Sequence, residues 1–253
     1  MLQFSIVEQV ILAVFLLSGI AFFLHHLLLR LKIVLKGKSD FSVDELPKRI
    51  IRVFDEVILH KKVVSGNRKS AGILHALVMY GFIFFGLITI NHFGMAFGFP
   101  IFSESFRHTY FLIFGAPWAI LCTIGILGLA YRRFVIKPEA LGKFSSTSAL
   151  VSVFIVTLMT TYLIDELHIL SGAAEKFNWW LHSGVIGGFL FLIPQSKHMH
   201  LVLSPFNIFL RPFEVPNHGA IPIDMEASEE ELDNLLLDLS RLSKDQALSL
   251  IHI

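Results

Sequence analysis

The residues of this 253-residue chain that are best able to do chemistry are its histidines. The sequence contains 12 histidines but a single cysteine, Cys122. One thiol excludes a disulfide framework, a four-cysteine zinc site and a cysteine-ligated iron–sulfur cluster formed within this chain. Imidazole, in contrast, can ligate a metal ion or carry a proton near neutral pH. The positions of the histidines therefore decide what chemistry the chain can support.

Four histidines fall at the ends of two long apolar stretches. His75 and His92 lie 17 residues apart in one stretch, and His182 and His200 lie 18 residues apart in another. On helices these separations correspond to about 25 and 27 Å. If the two helices are antiparallel, His75 lies at the depth of His200 and His92 at the depth of His182. Two imidazole pairs are therefore expected, one near each membrane face.

Two imidazoles from facing helices are what a b-type haem requires, one on each face of the macrocycle. At 100° per residue, 18 residues return to the same helix face, so His182 and His200 are expected to point the same way. His198 is about 160° from His182 on the same basis, which makes it the weaker candidate. We therefore predict that His75 and His200 bind an inner haem.

The outer pair, His182 and His92, fits the helical phase less well. His92 is about 100° off the face that carries His75, so its helix would have to distort near its end. His108 and His168 are alternatives as outer ligands. His25, His26, His60 and His218 are expected to lie in solvated interfacial positions, and His252 is not considered as a ligand.

A second group of polar residues lies at the outer end of another apolar stretch. Asp165, Glu166 and His168 stand close together in the sequence. Carboxylates beside an imidazole can relay protons to or from a quinone bound near the outer haem. The alternative is a polar helix end that is simply solvated at the membrane interface.

The elements that must position these residues are transmembrane helices. The sequence is 54% hydrophobic and 16% charged, against about 25% charged in a soluble domain. A membrane helix needs about 20 mostly apolar residues. Five stretches qualify, at 4–29, 73–91, 109–131, 149–170 and 179–203. The net charge of +1, without a dominant basic block, gives no indication of a nucleic-acid partner.

The distribution of basic residues predicts how the bundle is oriented. Residues 30–70, 131–145 and 197–253 contain 19 of the 21 lysines and arginines. The other two, Arg107 and Lys176, lie in the remaining loops. The positive-inside rule therefore predicts an N-terminus outside and a C-terminus in the cytoplasm. The expected fold is an all-α membrane protein, a bundle of five transmembrane helices.

The segment at about 42–64 is expected to form an amphipathic helix on the inner surface. Ser42 and Glu45 fit a capping box that would open it. Such a helix lies on the membrane or under a partner. Its predicted apolar face consists of Leu46, Ile50, Phe54, Val57 and Ile58.

This pattern resembles the gamma (cytochrome b) subunit of respiratory nitrate reductase. It is more similar still to the N-terminal membrane domain of heterodisulfide-reductase-type iron–sulfur oxidoreductases. The similarity covers about residues 5–215. The segments that carry it are 75–82, 91–94, 131–138, 179–182 and 193–212, among which Ile193-Pro-Gln-Ser-Lys-His-Met-His200 is the most specific.

The resemblance implies a membrane module with two b haems that carries electrons to or from a quinone, with menaquinone expected. The implied partners are membrane lipid and a cytoplasmic iron–sulfur domain or subunit, with electron-transferring flavoprotein as another candidate. The implied location is a prokaryotic plasma membrane. One departure concerns the outer haem. In the nitrate reductase subunit the two haem ligands of the second span lie closer together than His75 and His92 do here. At the position where that spacing would place the outer ligand, this chain has Phe85.

The predicted domains are a cytochrome b-like membrane domain at 1–215 and a cytoplasmic acidic linker at 216–253. Similar proteins continue into a cysteine-rich iron–sulfur domain, so we expect this chain to be part of a longer protein. No catalytic residue is assigned; the chain would serve as the membrane part of a quinone-linked oxidoreductase. The alternatives are a histidine-containing membrane transporter and a membrane anchor without haem, whose histidines bind zinc or nothing.

Overall fold

The structure is a computed structural model that describes residues 2–34, 43–65, 69–142, 144–211 and 213. These residues form helices and turns without a β-strand, as the all-α prediction requires. Contacts divide the chain into two compact units. Unit 1 comprises Met1–Gly19 and Lys62–Phe189, and unit 2 comprises Ile20–Lys61 and Leu190–Ile253. The predicted acidic linker at 216–253 lies outside the described residues.

Four helices in the described part of the chain are long and apolar enough to cross a membrane. They are α1 (Ile6–Val34), α4 (Lys69–Ala96), the continuous segment Glu104–Ile136 and α7 (Ser146–Glu166). The third segment consists of α5 (Glu104–Tyr110), a π-helical turn, α6 (Ala116–Tyr131) and a second π-helical turn. This set indicates a multi-pass membrane protein.

The fifth predicted span differs from its prediction. The helix α8 runs over Gly172–Leu192, and its first half carries Glu175, Lys176 and Asn178, so it is not among the four. The prediction of one helix over 179–203 is wrong. A turn with Pro194 follows α8, because proline lacks an N–H and disfavours helix in the residue before it.

A short 3₁₀ turn and α9 (His200–Leu210) follow that break. No single helix therefore contains both His182 and His200. The 18-residue spacing therefore does not place both imidazoles on one helix face, as was expected, because the helix is interrupted between them.

Within unit 1, α4 and α6 approach each other closely at two glycines. A Cβ atom added at Gly125 would lie 2.8 Å from the backbone oxygen of Leu74, and one at Gly81 would lie 2.8 Å from Cys122 Sγ. Only glycine permits this approach, which is a common device between membrane helices. Buried Leu12, Ala96 and Trp179 then join α1, the end of α4 and α8 in one cluster.

Unit 2 is built around α9. Met199 and Leu203 form a buried cluster with Val34, the last residue of α1. The helix α2 (Leu46–Val53), extended by a π-helical turn at Phe54–Ile58, packs on α9. The predicted end of this helix near residue 64 is wrong.

The helix ends at Ile58, and the chain turns at His60, whose φ angle is 51°. The short α3 (Lys61–Ser65) comes after that turn. At the other end, Ser42 of the predicted capping box lies outside the described residues. Glu45 is the N-cap, and it makes no side-chain capping hydrogen bond.

Candidate functional site

A pocket of about 210 Å³ lies in unit 1, where α4, α5, α7 and α8 meet. We call it the histidine pocket. Five residues singled out from the sequence line it: His92, His182, Asp165, Glu166 and His168. Its walls also include Leu2, Phe4, Ile88, Asn91, Met95, Phe102, Glu104, Arg107, Tyr110, Thr161, Tyr162, Glu175, Asn178 and Trp179.

The rings of His92 and His182 are neighbours, with centroids 4.9 Å apart and planes inclined by 56°. His92 is supplied by α4 and His182 by α8. The distortion expected near His92 is not needed, because α4 continues through it to Ala96. Two imidazoles from different helices therefore face one pocket, which is a ligand arrangement that a metal centre can use.

The protonation of His182 can be read from its hydrogen bonds. Its Nδ1 lies 2.7 Å from Thr161 Oγ1. That hydroxyl also lies 2.7 Å from the carbonyl oxygen of Thr157, which can only accept a hydrogen bond. Since a hydroxyl has one hydrogen, Thr161 donates to Thr157 and accepts from His182. His182 is therefore protonated on Nδ1, and its Nε2 carries the lone pair that a metal requires.

The acceptor that sets this protonation is itself held in place. Asn178 Nδ2 donates to the backbone oxygen of Thr161 over 2.9 Å. Asn178 and Thr161 are both buried, with exposed fractions of 5% and 4%. A buried polar pair between two apolar helices fixes α7 against α8 at the level of His182.

His92 has different partners. Its ring stacks on Trp179 with centroids 4.6 Å apart and planes 16° from parallel. Its Nε2 lies 2.9 Å from Oγ of Ser183, which is buried. Stacking fixes the plane of the ring, while Ser183 occupies the nitrogen that would bind a metal.

Two imidazoles from different helices are the donor set that would hold a haem here, with His182 presenting Nε2. His92 would have to exchange Ser183 for the iron, and the two rings, whose centroids are 4.9 Å apart, would have to move apart.

The acidic side of the pocket is paired with a cation. Arg107 Nη1 lies 3.0 Å from Glu166 Oε1, and the two side chains are 25% and 11% exposed. Asp165 precedes Glu166 at the end of α7, and His168 follows in a turn with φ 50°. The pocket lining thus combines four carboxyl groups, one guanidinium and three imidazoles.

Sequence reasoning missed Arg107, Thr161, Asn178 and Ser183 as site residues. A signal existed for Arg107, since it is one of only two basic residues in the loops predicted to lie outside. The other, Lys176, pairs with Glu8 over 2.7 Å. Thr161 is a polar residue inside the apolar helix α7, which is a general sign of function in membranes.

The residues predicted to bind an inner haem lie in different units. His75 is partly buried in α4 of unit 1, and His200 begins α9 of unit 2. His200 Nδ1 donates to the backbone oxygen of Lys197 over 2.8 Å. The pairing of His75 with His200 stays a prediction.

The alternatives raised from the sequence are placed as follows. His198 Nδ1 lies 3.2 Å from Ser196 Oγ. His108 is exposed on α5 and is not among the residues that line the histidine pocket. Among the described residues there is no group of three or more histidine, cysteine, aspartate or glutamate side chains arranged to hold a metal ion.

Comparison with known proteins gives two relatives. The chain is 30% identical over 217 residues to the probable iron-sulfur-binding oxidoreductase FadF of Bacillus subtilis, a match that covers 73% of the chain. It is 23% identical, over an alignment of 260 positions covering 85% of the chain, to the EtfAB:quinone oxidoreductase of Syntrophomonas wolfei. No family model and no solved structure matches.

These similarities relate the chain to oxidoreductases. The matches extend over 30% and 35% of the two relatives, so the chain spans about a third of their length. The narrower resemblance to the nitrate reductase gamma subunit stays an expectation.

Proposed function

We propose that this chain is the membrane electron-transfer part of an iron–sulfur oxidoreductase that exchanges electrons with the quinone pool. The names of its relatives, an iron-sulfur-binding oxidoreductase and an EtfAB:quinone oxidoreductase, support this role. The observation that carries the proposal is the pairing of His92 with His182, in which Thr161 holds His182 with Nε2 as its unprotonated nitrogen.

In this proposal His182 and His92 would hold the outer b haem, and His75 and His200 would hold the inner one. Haem iron supplies a one-electron carrier when it is bound. The chain's own residues orient the ligands and exclude water. Thr161 keeps the proton of His182 on Nδ1, and Trp179 fixes the ring plane of His92.

The acidic wall of the histidine pocket is the proposed quinone and proton site. A quinol that is oxidised loses two electrons and two protons, and a quinone that is reduced gains them. Asp165, Glu166 and His168 are groups that can accept or supply those protons. Arg107 holds the Glu166 carboxylate at the pocket wall through their ion pair. Menaquinone is the proposed quinone.

The proposed partner is an iron–sulfur domain or subunit on the cytoplasmic side, with electron-transferring flavoprotein as a further candidate. Because the chain contains a single cysteine, such clusters would be held outside the sequence described. The chain would occupy a prokaryotic plasma membrane, with its N-terminus outside and a bundle of five spans in which α8 is the fifth. Each of these assignments follows the resemblance and the positive-inside rule.

The proposal is tested by measuring haem in histidine variants. Wild-type protein purified from haem-replete cells should contain b-type haem, and His182→Ala should lose the outer haem while keeping the inner one. His108→Ala is the matched control, because His108 is an exposed histidine in the same unit that does not line the pocket. Metal analysis of the same preparations separates iron from zinc. Wild-type protein without haem, or a His182→Ala protein with unchanged haem content, contradicts the proposal.

A further inference from the structure

We propose that the helix Leu46–Ile58 is an interfacial anchor whose apolar face inserts into the surface of the lipid bilayer. We call this segment, which comprises α2 and its π-helical turn, the surface helix. The inference concerns unit 2 alone and does not depend on haem. It rests on which side of the helix the protein covers, on where the helix is held, and on the charge at its edge.

The charged side of the surface helix faces the protein. Arg49 is 2% exposed, and it donates to Glu45 Oε2 over 2.7 Å and to the backbone oxygen of Phe209 over 2.8 Å. Arg52 donates to the backbone oxygen of Arg211, and Arg211 pairs with Glu56. The backbone oxygens of Phe209 and Arg211 lie at the end of α9, where no following helical turn supplies an N–H donor. The two arginines provide the missing hydrogen bonds.

The apolar side of the surface helix faces outward. Ile50, Ile51, Phe54 and Ile58 are 55%, 61%, 52% and 38% exposed. At 100° per residue these four positions fall within an arc of about 100°. A surface helix of a soluble protein has the opposite arrangement, with the apolar stripe toward the core. The inverted arrangement is stable if the outer medium is itself apolar.

The surface helix is held at the end of a membrane-spanning helix. It packs on α9, and α9 contributes Met199 and Leu203 to a buried cluster with Val34, where the candidate span α1 ends. These contacts all lie within unit 2. The end of a span lies at the boundary between hydrocarbon and water. The outward apolar face is therefore presented where lipid headgroups meet acyl chains.

The charge at the edge of this helix suits the same medium. Lys48 is exposed and lies beside the apolar face, about 60° from Ile51 around the helix axis. A lysine at such an edge can extend its amine to lipid phosphates while its stem lies along apolar surface. Apolar residues on one face with a basic residue beside them are typical of helices that lie in the membrane interface.

The test is quenching of a fluorophore attached to the full chain in phosphatidylethanolamine–phosphatidylglycerol nanodiscs. An environment-sensitive label is placed on Ile51→Cys and Phe54→Cys, and on the control Lys48→Cys of the same helix. All three positions are exposed, so the label does not disturb packing. The native Cys122 is buried, and protein without an added cysteine measures its background labelling.

We expect the labels at 51 and 54 to be quenched by spin-labelled lipid and protected from iodide. The label at 48 should show greater quenching by iodide than either. Quenching of 51 and 54 by iodide would show that the face lies in water and would overturn the proposal. Protection of both positions from lipid and iodide would overturn it too, because a protein partner or a second copy of the chain would then cover the face.

Discussion

Replacing Thr161 by valine should weaken haem binding at the histidine pocket while leaving the helices in place. Valine keeps the shape of threonine but has no hydroxyl to accept the proton of His182 Nδ1, a bond of 2.7 Å in the structure. The backbone oxygen of Thr161 still accepts from Asn178, so α7 and α8 remain connected. The substitution therefore removes the group that fixes the protonation of His182 and little else.

The size of the effect follows from the bond that is lost. A donor left without an acceptor inside a protein costs about 1–3 kcal/mol. Because every 1.4 kcal/mol is about a factor of ten in affinity, haem affinity should fall about 5- to 150-fold. Loss of a hydrogen-bond partner behind a metal-ligating histidine lowers metal affinity about 10- to 100-fold, which falls within this range.

The assay has two parts, one with haem and one without. Haem titration of the apoprotein gives the affinity, with Thr161→Ser as the matched control because serine retains the hydroxyl. NMR of isotope-labelled histidine in the apoprotein reports which nitrogen of His182 carries the proton. We expect Nδ1 in the wild type and in Thr161→Ser, and a mixture in Thr161→Val. Equal haem affinity in all three proteins, or equal loss in the serine and valine variants, would refute the reasoning.

Three further substitutions test separate parts of the structure. Ser183→Ala should bind haem at least as tightly as the wild type in titrations, because it releases His92 Nε2; weaker binding would count against His92 as a ligand. Arg49→Ala should lower the stability of unit 2 by about 2–4 kcal/mol, seen as a lower Tm in detergent, because it removes a buried ion pair and a helix-end contact. Gly125→Ala should destabilise unit 1 by about 1–3 kcal/mol through overpacking, whereas Gly184→Ala, with nothing within 4 Å, should leave the Tm unchanged. An unchanged Tm in Arg49→Ala, or equal Tm shifts in the two glycine variants, would contradict these contacts.

Helix content and membrane character were predictable from the sequence because they depend on local composition. The proximity of His92 and His182 was also predictable, because residues at matching depths in neighbouring antiparallel helices lie close together. The break after Leu192 was harder to locate. Pro194 gave a signal for a bend, but only the three-dimensional structure shows that the helix stops there.

The side-chain pairings of the histidine pocket could not be predicted from the sequence, because the two partners of each pair are distant along the chain. Arg107 and Glu166 are 59 residues apart, and Thr161 and His182 are 21 residues apart. Neither pairing has a periodic pattern that identifies it. The orientation of the surface helix has the same origin. Its amphipathic pattern was visible, but the backbone carbonyl that holds Arg49 against the protein belongs to residue 209.

The most direct test of the central claim is the absorption spectrum of the purified full chain, reduced with dithionite, freed of excess dithionite by gel filtration and then mixed with an oxidised menaquinone analogue in the absence of oxygen. The account predicts reduced b-type bands that disappear when the quinone is added, because electrons leave the haems for the quinone. Protein from haem-replete cells that shows no such bands, or bands that the quinone leaves unchanged, would contradict it.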